Sequence, residues 1–306
     1  MKGYLSPSLF RRRRALVKTS DSMSDLFKAF VLGLVQGASE FLPVSSSGHL
    51  VIVPWLFGWP SSSLLFDTVV HLGTLLSILA VFGRDFAAII RATVRSLPSV
   101  LKTRGLTSSL RDVNARLGWF IILGSVPAAI TGLLFKDPLE RLYHTPQAAA
   151  FFLAVTALLL AGSEWMSRNV IARAPLAAMS MRQSFLIGLA QAAALAPGIS
   201  RSGTTIAAAL AQGLRREAAT RYSFLLGAPA FLGAGLLQVG DMLATAPSAV
   251  LAELPALLVG FITSAICGYA AIRFLLAYVR RNSLYLFSGY CLLVSLAVLT
   301  LFTLRL

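Results

Sequence analysis

Two stretches of this chain, residues 24–58 and 184–213, are apolar at both ends but carry Pro, Gly and Ser in the middle. The second contains APGISRSGTT, with one proline, two glycines, four hydroxyl side chains and an arginine. Backbone that faces lipid must satisfy its own hydrogen bonds, so irregular polar sequence at membrane depth needs protein or a water-filled cavity around it. We therefore predict that each stretch is a re-entrant hairpin, two short helices joined by a polar tip inside a membrane protein.

The composition of the whole chain agrees with a membrane location. Of the 306 residues, 57% are hydrophobic and 13% are charged, and the mean hydropathy is +0.76. A helix that crosses a bilayer needs about 20 apolar residues, and six further runs are long enough. The sequence thus predicts an all-α polytopic membrane protein. The predicted spans lie near 65–83, 116–135, 147–166, 222–240, 251–278 and 284–304.

The net charge of +15 lies largely in the connections between predicted spans and in the first 22 residues. Basic connections are typical of the cytoplasmic side of a membrane protein. The connections near 58–64 and 241–250 contain no Lys or Arg, which indicates the outer side. We therefore attribute the basic charge to membrane topology and expect no nucleic-acid partner.

The two broken stretches are related to each other. A shift of 155 positions aligns residues 29–50 with 184–205 without a gap, and eight of the 22 pairs are identical, including a Ser-x-Ser-Gly segment. Such self-similarity indicates a duplicated unit. Each unit would hold one re-entrant hairpin and three transmembrane helices, and an odd number of crossings turns the second unit upside down. We predict two inverted-topology repeats, about 24–166 and about 184–304.

The first 22 residues do not fit this topology. With the basic connections inside, both chain ends lie outside, and this puts the basic run Arg11–Arg14 on the wrong side. We interpret residues 1–22 as a basic N-terminal extension that is disordered or not native. Residues 23–306 then form a single membrane domain.

Polar side chains at the two hairpin tips are the candidate site. Inverted repeats with interrupted helices usually bind their ligand near the membrane midplane, where the broken helices meet. We expect both tips to converge on one pocket. The first hairpin supplies Gln36, Glu40, Ser45, Ser46, Ser47 and His49, and the second supplies Ser200, Arg201, Ser202 and Thr205.

These residue types suit phosphoryl transfer. Arg201 can grip phosphate oxygens through paired donors, and half-helix N-termini attract anions. Glu40 is a hard oxygen ligand suited to a divalent cation, Mg²⁺ or Ca²⁺. His49 would act as general base or as nucleophile, or Ser46 would be a nucleophile that His49 activates. Asp67 and His71, in the first span, have no assigned role.

Two other interpretations stay open on these residues alone. Ser45 and Ser47 beside a glycine would also suit close helix packing without any ligand. The inverted repeat would equally suit a transporter or flippase for an anionic polyprenyl lipid. A homodimer is compatible with the sequence, which does not determine the oligomeric state.

The segments QGASEFLPVSSSGH and PGISRSGTT resemble the two signature motifs of the undecaprenyl-diphosphate phosphatase family, also called the bacitracin-resistance proteins. The resemblance extends from about Met23 to the C-terminus. It implies a multi-pass enzyme of the bacterial plasma (inner) membrane that removes the terminal phosphate of undecaprenyl diphosphate, recycles the lipid carrier for peptidoglycan synthesis and confers bacitracin resistance. It also implies dependence on a divalent metal and an active site that faces the outer side.

The resemblance carries over residue by residue. The first motif assigns function to Gln36, Glu40, Ser46 and His49. The second motif assigns function to Ser200, Arg201 and Thr205. Gln36 stands where many family members have Glu, and its neutral amide argues against a metal site with two carboxylate ligands in this chain.

Overall fold

The computed structural model describes residues 21–102, 111–143, 145–168 and 173–305. Apart from one isolated bridge, the regular structure in these ranges is helical. Most of the predicted N-terminal extension, residues 1–20, lies outside them. The α-helices are α1 Asp21–Phe41, α2 Ser46–Phe57, α3 Leu64–Lys102, α4 Val113–Leu134, α5 Lys136–Leu142, α6 Pro146–Ser167, α7 Met181–Ala193, α8 Arg201–Ala211, α9 Arg216–Thr245, α10 Pro247–Tyr278 and α11 Tyr285–Arg305.

Six helices in the described part of the chain are long and apolar enough to cross a membrane, which confirms the six predicted spans. The prediction ended the first span at residue 83, whereas α3 continues to Lys102. Hydropathy falls at Arg84 and Asp85, but Ala, Arg and Leu further on are good helix formers, so the helix outlasts its apolar part. The six spans are Leu64–Pro98, Val113–Leu134, Pro146–Ser167, Arg216–Thr245, Val250–Tyr278 and Tyr285–Leu304.

Both broken stretches form two helices that pack against each other, α1 with α2 and α7 with α8. The second helix of each pair is capped in the same way. Ser45 Oγ accepts the Gly48 N–H at 3.3 Å, and Ser200 Oγ accepts the Gly203 N–H at 3.0 Å. Such a cap satisfies one of the amide donors left free at a helix start.

The two tips touch each other through their glycines. A Cβ on Gly48 would lie 3.0 Å from the Gly198 Cα, and a Cβ on Gly203 would lie 3.4 Å from the Pro43 Cβ. Gly198 also has a φ of 95°, which suits glycine far better than other residues. Small residues are therefore what allow the tips to come together.

Each hairpin is also held by a span from the other half of the sequence. Helix α1 packs on α10, and α7 packs on α4. A Cβ on Gly33 would lie 2.8 Å from the Gly260 carbonyl oxygen, and a Cβ on Gly188 would lie 2.7 Å from the Gly124 Cα. Gly33 and Gly188 are aligned by the 155-residue shift, so corresponding glycines make corresponding close contacts.

Candidate active site

A cavity of about 800 Å³ lies where the hairpin tips meet α3 and α9. Both tips contribute to its wall, as the sequence predicts. Four of the predicted site residues, Gln36, His49, Ser202 and Thr205, are buried but do not line it. The six that line it are Glu40, Ser45, Ser46, Ser47, Ser200 and Arg201.

Glu40 is the centre of the polar cluster, and its carboxylate is buried, with 4% of the side chain exposed. Gln36 Nε2 donates to Oε2 at 2.9 Å, and the Ser46 hydroxyl donates to the same oxygen. Arg201 Nη2 donates to Oε1 at 3.1 Å, and His71 Nε2 lies 3.5 Å from Oε2. A buried carboxylate is costly unless it is paired and hydrogen-bonded, and here both hairpins and α3 supply the partners.

Arg201 is held flat at the first turn of α8. Its Nη1 donates to the Ser223 carbonyl at 3.0 Å, and its guanidinium carbon lies 4.6 Å from the centre of the Phe231 ring. A Cβ on Gly227 would be 2.1 Å from Nη1, so a glycine is needed behind the guanidinium. Thr205 Oγ1 lies 2.7 Å from Ser223 Oγ, so it bonds to the same residue whose carbonyl accepts from Arg201. The Arg201 Nε is buried and has no hydrogen-bond partner in the part of the chain that the structure describes.

The serines of the two tips bond mainly to the protein itself. Ser45 and Ser200 act as caps, and each also has its Oγ 3.3 Å from the Oγ two residues later. Ser202 Oγ donates to the Leu42 carbonyl at 3.3 Å, which joins the second tip to the first. Their predicted role in substrate binding stays a prediction, whereas their part in building the tips is visible.

His49 points to α11. One ring nitrogen, Nδ1, lies 2.7 Å from the Ser45 carbonyl oxygen, and Nε2 lies 2.8 Å from the Tyr290 hydroxyl. The two rings are stacked with centroids 5.7 Å apart. Ser45 has a φ of 69°, a strained value for a non-glycine residue, and the bond from His49 holds it there. The role of base or nucleophile stays a prediction, but Glu40, not His49, is the acceptor bonded to Ser46.

His71 and Asp67 belong to the cavity, and the sequence left both without a role. His71 Nδ1 lies 2.6 Å from the Asp67 carbonyl, which fixes the ring with Nε2 toward Glu40. Asp67 accepts the Ser62 hydroxyl at 2.6 Å. A polar pair four residues apart in an apolar span was the available signal, but only the tertiary arrangement brings α3 to the first hairpin tip.

Tyr143 is a further cavity residue that sequence reasoning missed. It lies between α5 and α6, outside the spans, and its hydroxyl donates to the Leu195 carbonyl at 3.4 Å. Tyr143 is 38% exposed as a residue, but its hydroxyl end lines the cavity, where desolvation, followed by the carboxylates of Asp67 and Glu40, raises its pKa to about 12. A phenol is protonated at neutral pH with or without this shift, so Tyr143 can donate one hydrogen bond, which goes either to the Leu195 carbonyl or to a ligand in the cavity.

The oxygen ligands in the cavity suit a divalent cation only in part. Within the described ranges, no three His, Cys, Asp or Glu side chains are grouped as metal ligands. Glu40 lines the cavity and offers carboxylate oxygens there, whereas Gln36 Oε1, which has no partner among the described residues, lies outside the cavity lining. Mg²⁺ often binds proteins through only one or two carboxylates, with water and substrate phosphate completing its shell. The residues present therefore fit a cation that binds together with a phosphorylated substrate.

Comparison with known proteins gives one consistent result. Residues 29–297 match the family described as Bacitracin resistance protein BacA. A protein of Methanosphaera stadtmanae named undecaprenyl-diphosphatase is 41% identical over 283 residues, which are 91% of this chain and 99% of that protein. A protein of Geobacter metallireducens with the same name is 43% identical over 272 residues, 89% of this chain and 96% of that protein. The similarity thus includes both hairpins and all six spans.

Proposed function

This chain belongs to the bacitracin resistance protein BacA family, and we propose that it is an undecaprenyl-diphosphatase. It hydrolyses undecaprenyl diphosphate to undecaprenyl phosphate and inorganic phosphate, recycles the lipid carrier for peptidoglycan synthesis and confers bacitracin resistance. The observation that carries the proposal is the joining of Glu40 and Ser46 from one tip with Arg201 from the other in a single cavity. The names of the relatives do not favour the transporter or flippase.

Ser46 is the nucleophile best supported by the geometry. Its hydroxyl donates to Glu40, so Glu40 can take the proton as the Ser46 oxygen attacks the terminal phosphorus. The bond from that phosphorus to the bridging oxygen breaks, polyprenyl monophosphate leaves with the electron pair, and Glu40 passes its proton to the departing oxygen. Glu40 then takes a proton from the water that attacks the phosphoserine and gives it to the Ser46 oxygen as phosphate departs, which regenerates both groups. A single attack by water, with Glu40 as the base, would give the same products.

Arg201 and the two helix N-termini would hold the diphosphate. Arg201 has an unused Nε donor beside the Nη2 that now bonds Glu40, and these two donors form a planar fork suited to two phosphate oxygens. The N-termini of α2 and α8 meet at the cavity, so their dipoles add positive potential where charge builds up.

We further propose a divalent cation, Mg²⁺ or Ca²⁺, that Glu40 would hold together with oxygens of the diphosphate. When bound, the cation would offset negative charge on the phosphates. Equilibrium binding of Mn²⁺ to wild-type protein and to Glu40→Gln, with and without substrate, would test this assignment independently of turnover.

Two inverted repeats remain our proposal for the architecture. Three observations support it: the matching serine caps, the matching glycine contacts, and the packing of each hairpin on a span from the other half of the chain.

We also propose that the cavity opens to the outer side of the bacterial inner membrane, because Ser61 and Ser62 in the uncharged connection border it. In a chain with Cys267 and Cys291 replaced by Ala, an impermeant maleimide should label Ser61→Cys on whole cells but not Arg215→Cys. We keep the homodimer as a prediction, which the mass of the purified protein in detergent would check.

The reaction is tested directly with purified protein in detergent. Hydrolysis needs no compartments, whereas transport does, so release of inorganic phosphate from undecaprenyl or farnesyl diphosphate separates the two functions. We expect release that depends on a divalent metal and is lost in Glu40→Gln. An absence of release from wild-type protein that still binds the substrate would contradict the proposed function.

A further inference from the structure

Gln191 in α7 is a buried amide whose polar atoms have no hydrogen-bond partner within the described ranges. Only 1% of the residue is exposed, and it lines the same cavity as Ser200 and Arg201. Neither its Nε2 nor its Oε1 has a hydrogen-bond partner among the residues that the structure describes. A buried polar group without a partner carries its full desolvation penalty, so such groups in native proteins call for an explanation, and ligand binding is one.

Gln191 differs in its hydrogen bonding from the residue aligned with it in the first hairpin, Gln36. Gln36 occupies the corresponding position, and its Nε2 donates to Glu40, one helical turn later. One turn after Gln191 the chain has Leu195, which offers no side-chain acceptor. The same amide is thus kept in both hairpins, but in the second hairpin its protein partner is missing.

We infer that Gln191 is a substrate-binding residue, whose amide N–H₂ donates to a non-bridging oxygen of the diphosphate. This inference rests on the proposed function and adds a contact from the second hairpin to it. The cavity favours an anionic ligand for two reasons. Arg201 lines it and carries a positive charge, and Arg201 is also the first residue of α8, whose N-terminus attracts anions. The polyprenyl tail gives an amide no hydrogen bond, so the tail cannot satisfy this group.

The inference predicts opposite effects of one substitution on binding and on stability. Gln191→Leu should raise the KM for farnesyl diphosphate by about 10- to 100-fold, since one hydrogen bond to a charged group is lost. The same change removes an unsatisfied buried amide, so the thermal unfolding midpoint without substrate should be equal to or above that of wild type. Gln191→Glu keeps the size but loses the donor, and we expect its KM to rise at least as much.

Gln36→Leu is the matched control for stability, because it removes a partner of Glu40 and should lower the unfolding midpoint. A purely structural Gln191 would behave like Gln36 in this respect, with a lower midpoint in Gln191→Leu and an unchanged KM, and that result would overturn the inference.

A non-hydrolysable methylene-bridged analogue of farnesyl diphosphate separates this inference from the proposed function. The analogue should raise the unfolding midpoint of wild type more than that of Gln191→Leu. If wild type binds the analogue in this way but releases no phosphate from the diphosphate, the reaction is wrong and the Gln191 contact stands. If both proteins respond equally to the analogue, the Gln191 contact is wrong whatever the reaction.

Discussion

The two hairpin tips share a scaffold and differ in the side chains that face the cavity. Both begin their second helix with a serine cap, and both use glycine to approach the other tip. At the aligned positions, however, Ser46 corresponds to Arg201 and Glu40 corresponds to Leu195. The first tip has the acid and the hydroxyl, and the second has the cation. Under the proposed repeat, the two tips share one framework and carry different, complementary side chains of one site.

The largest effect should follow from removal of the acid in the first tip. Glu40→Gln keeps the shape but cannot accept the Ser46 proton, and kcat should fall by about 10²–10⁴-fold, the range for a general base. Glu217→Gln, which changes an exposed partner of Arg280, is the control and should leave phosphate release near wild type. Near-normal turnover in Glu40→Gln would mean that the first tip does not supply the base.

Removal of the fork in the second tip should have the next largest effect. Arg201→Lys keeps the charge but loses the paired donors, and we expect phosphate release to fall by about 10²-fold or more, as for loss of one transition-state donor. The exposed Arg280→Lys is the matched control. If Arg201→Lys were as active as its control, charge alone would be enough at the second tip.

A smaller and more selective effect is expected at His49. If this ring acts by holding the Ser45 carbonyl, the amide of an Asn can donate the hydrogen bond that Nδ1 now donates. His49→Asn should then retain about tenfold more activity than His49→Ala, because one hydrogen bond is worth about that much. Steady-state phosphate release checks this order. Equal and complete loss in both variants would instead support the role of base or nucleophile that the motif suggests.

The smallest effect should be the same in both tips. Ser45→Ala and Ser200→Ala each remove a helix cap, and each should lower the free energy of unfolding by about 1 kcal/mol. Thermal unfolding in detergent measures the change, and activity per folded molecule should stay within a few-fold of wild type. A loss of activity without a loss of stability would show that these hydroxyls contact the substrate.

The sequence predicted the parts of this fold that depend on local chemistry. Apolar runs located the six spans, and Pro, Gly and Ser located the breaks before α2 and α8. The motifs also pointed to Glu40, Ser46 and Arg201, which line the cavity, because an acid and an arginine between apolar runs are costly without a function. Hydropathy did not predict the end of α3, since a helix that leaves the membrane can continue in water.

The remaining site residues depend on packing between distant helices. Three cavity residues come from separate parts of the chain: His71 from α3, Tyr143 from the segment between α5 and α6, and Gln191 from α7. No local sequence pattern predicts that these three line the same cavity. The sequence left open whether His49 acts as a base, as a nucleophile or as the group that activates Ser46. The orientation of α2 turns its ring to Tyr290 in α11, and this contact over 241 positions is not readable from the motif.

A double-mutant cycle on Glu40 and Arg201 tests most directly whether the two tips form one site. The quantity to measure is kcat/KM for phosphate release by wild type, Glu40→Gln, Arg201→Lys and the double variant. Residues that act as one unit have strongly non-additive effects. We predict that the double variant will be within about tenfold of the slower single variant. Losses that multiply, so that the two residues act independently, would contradict the account.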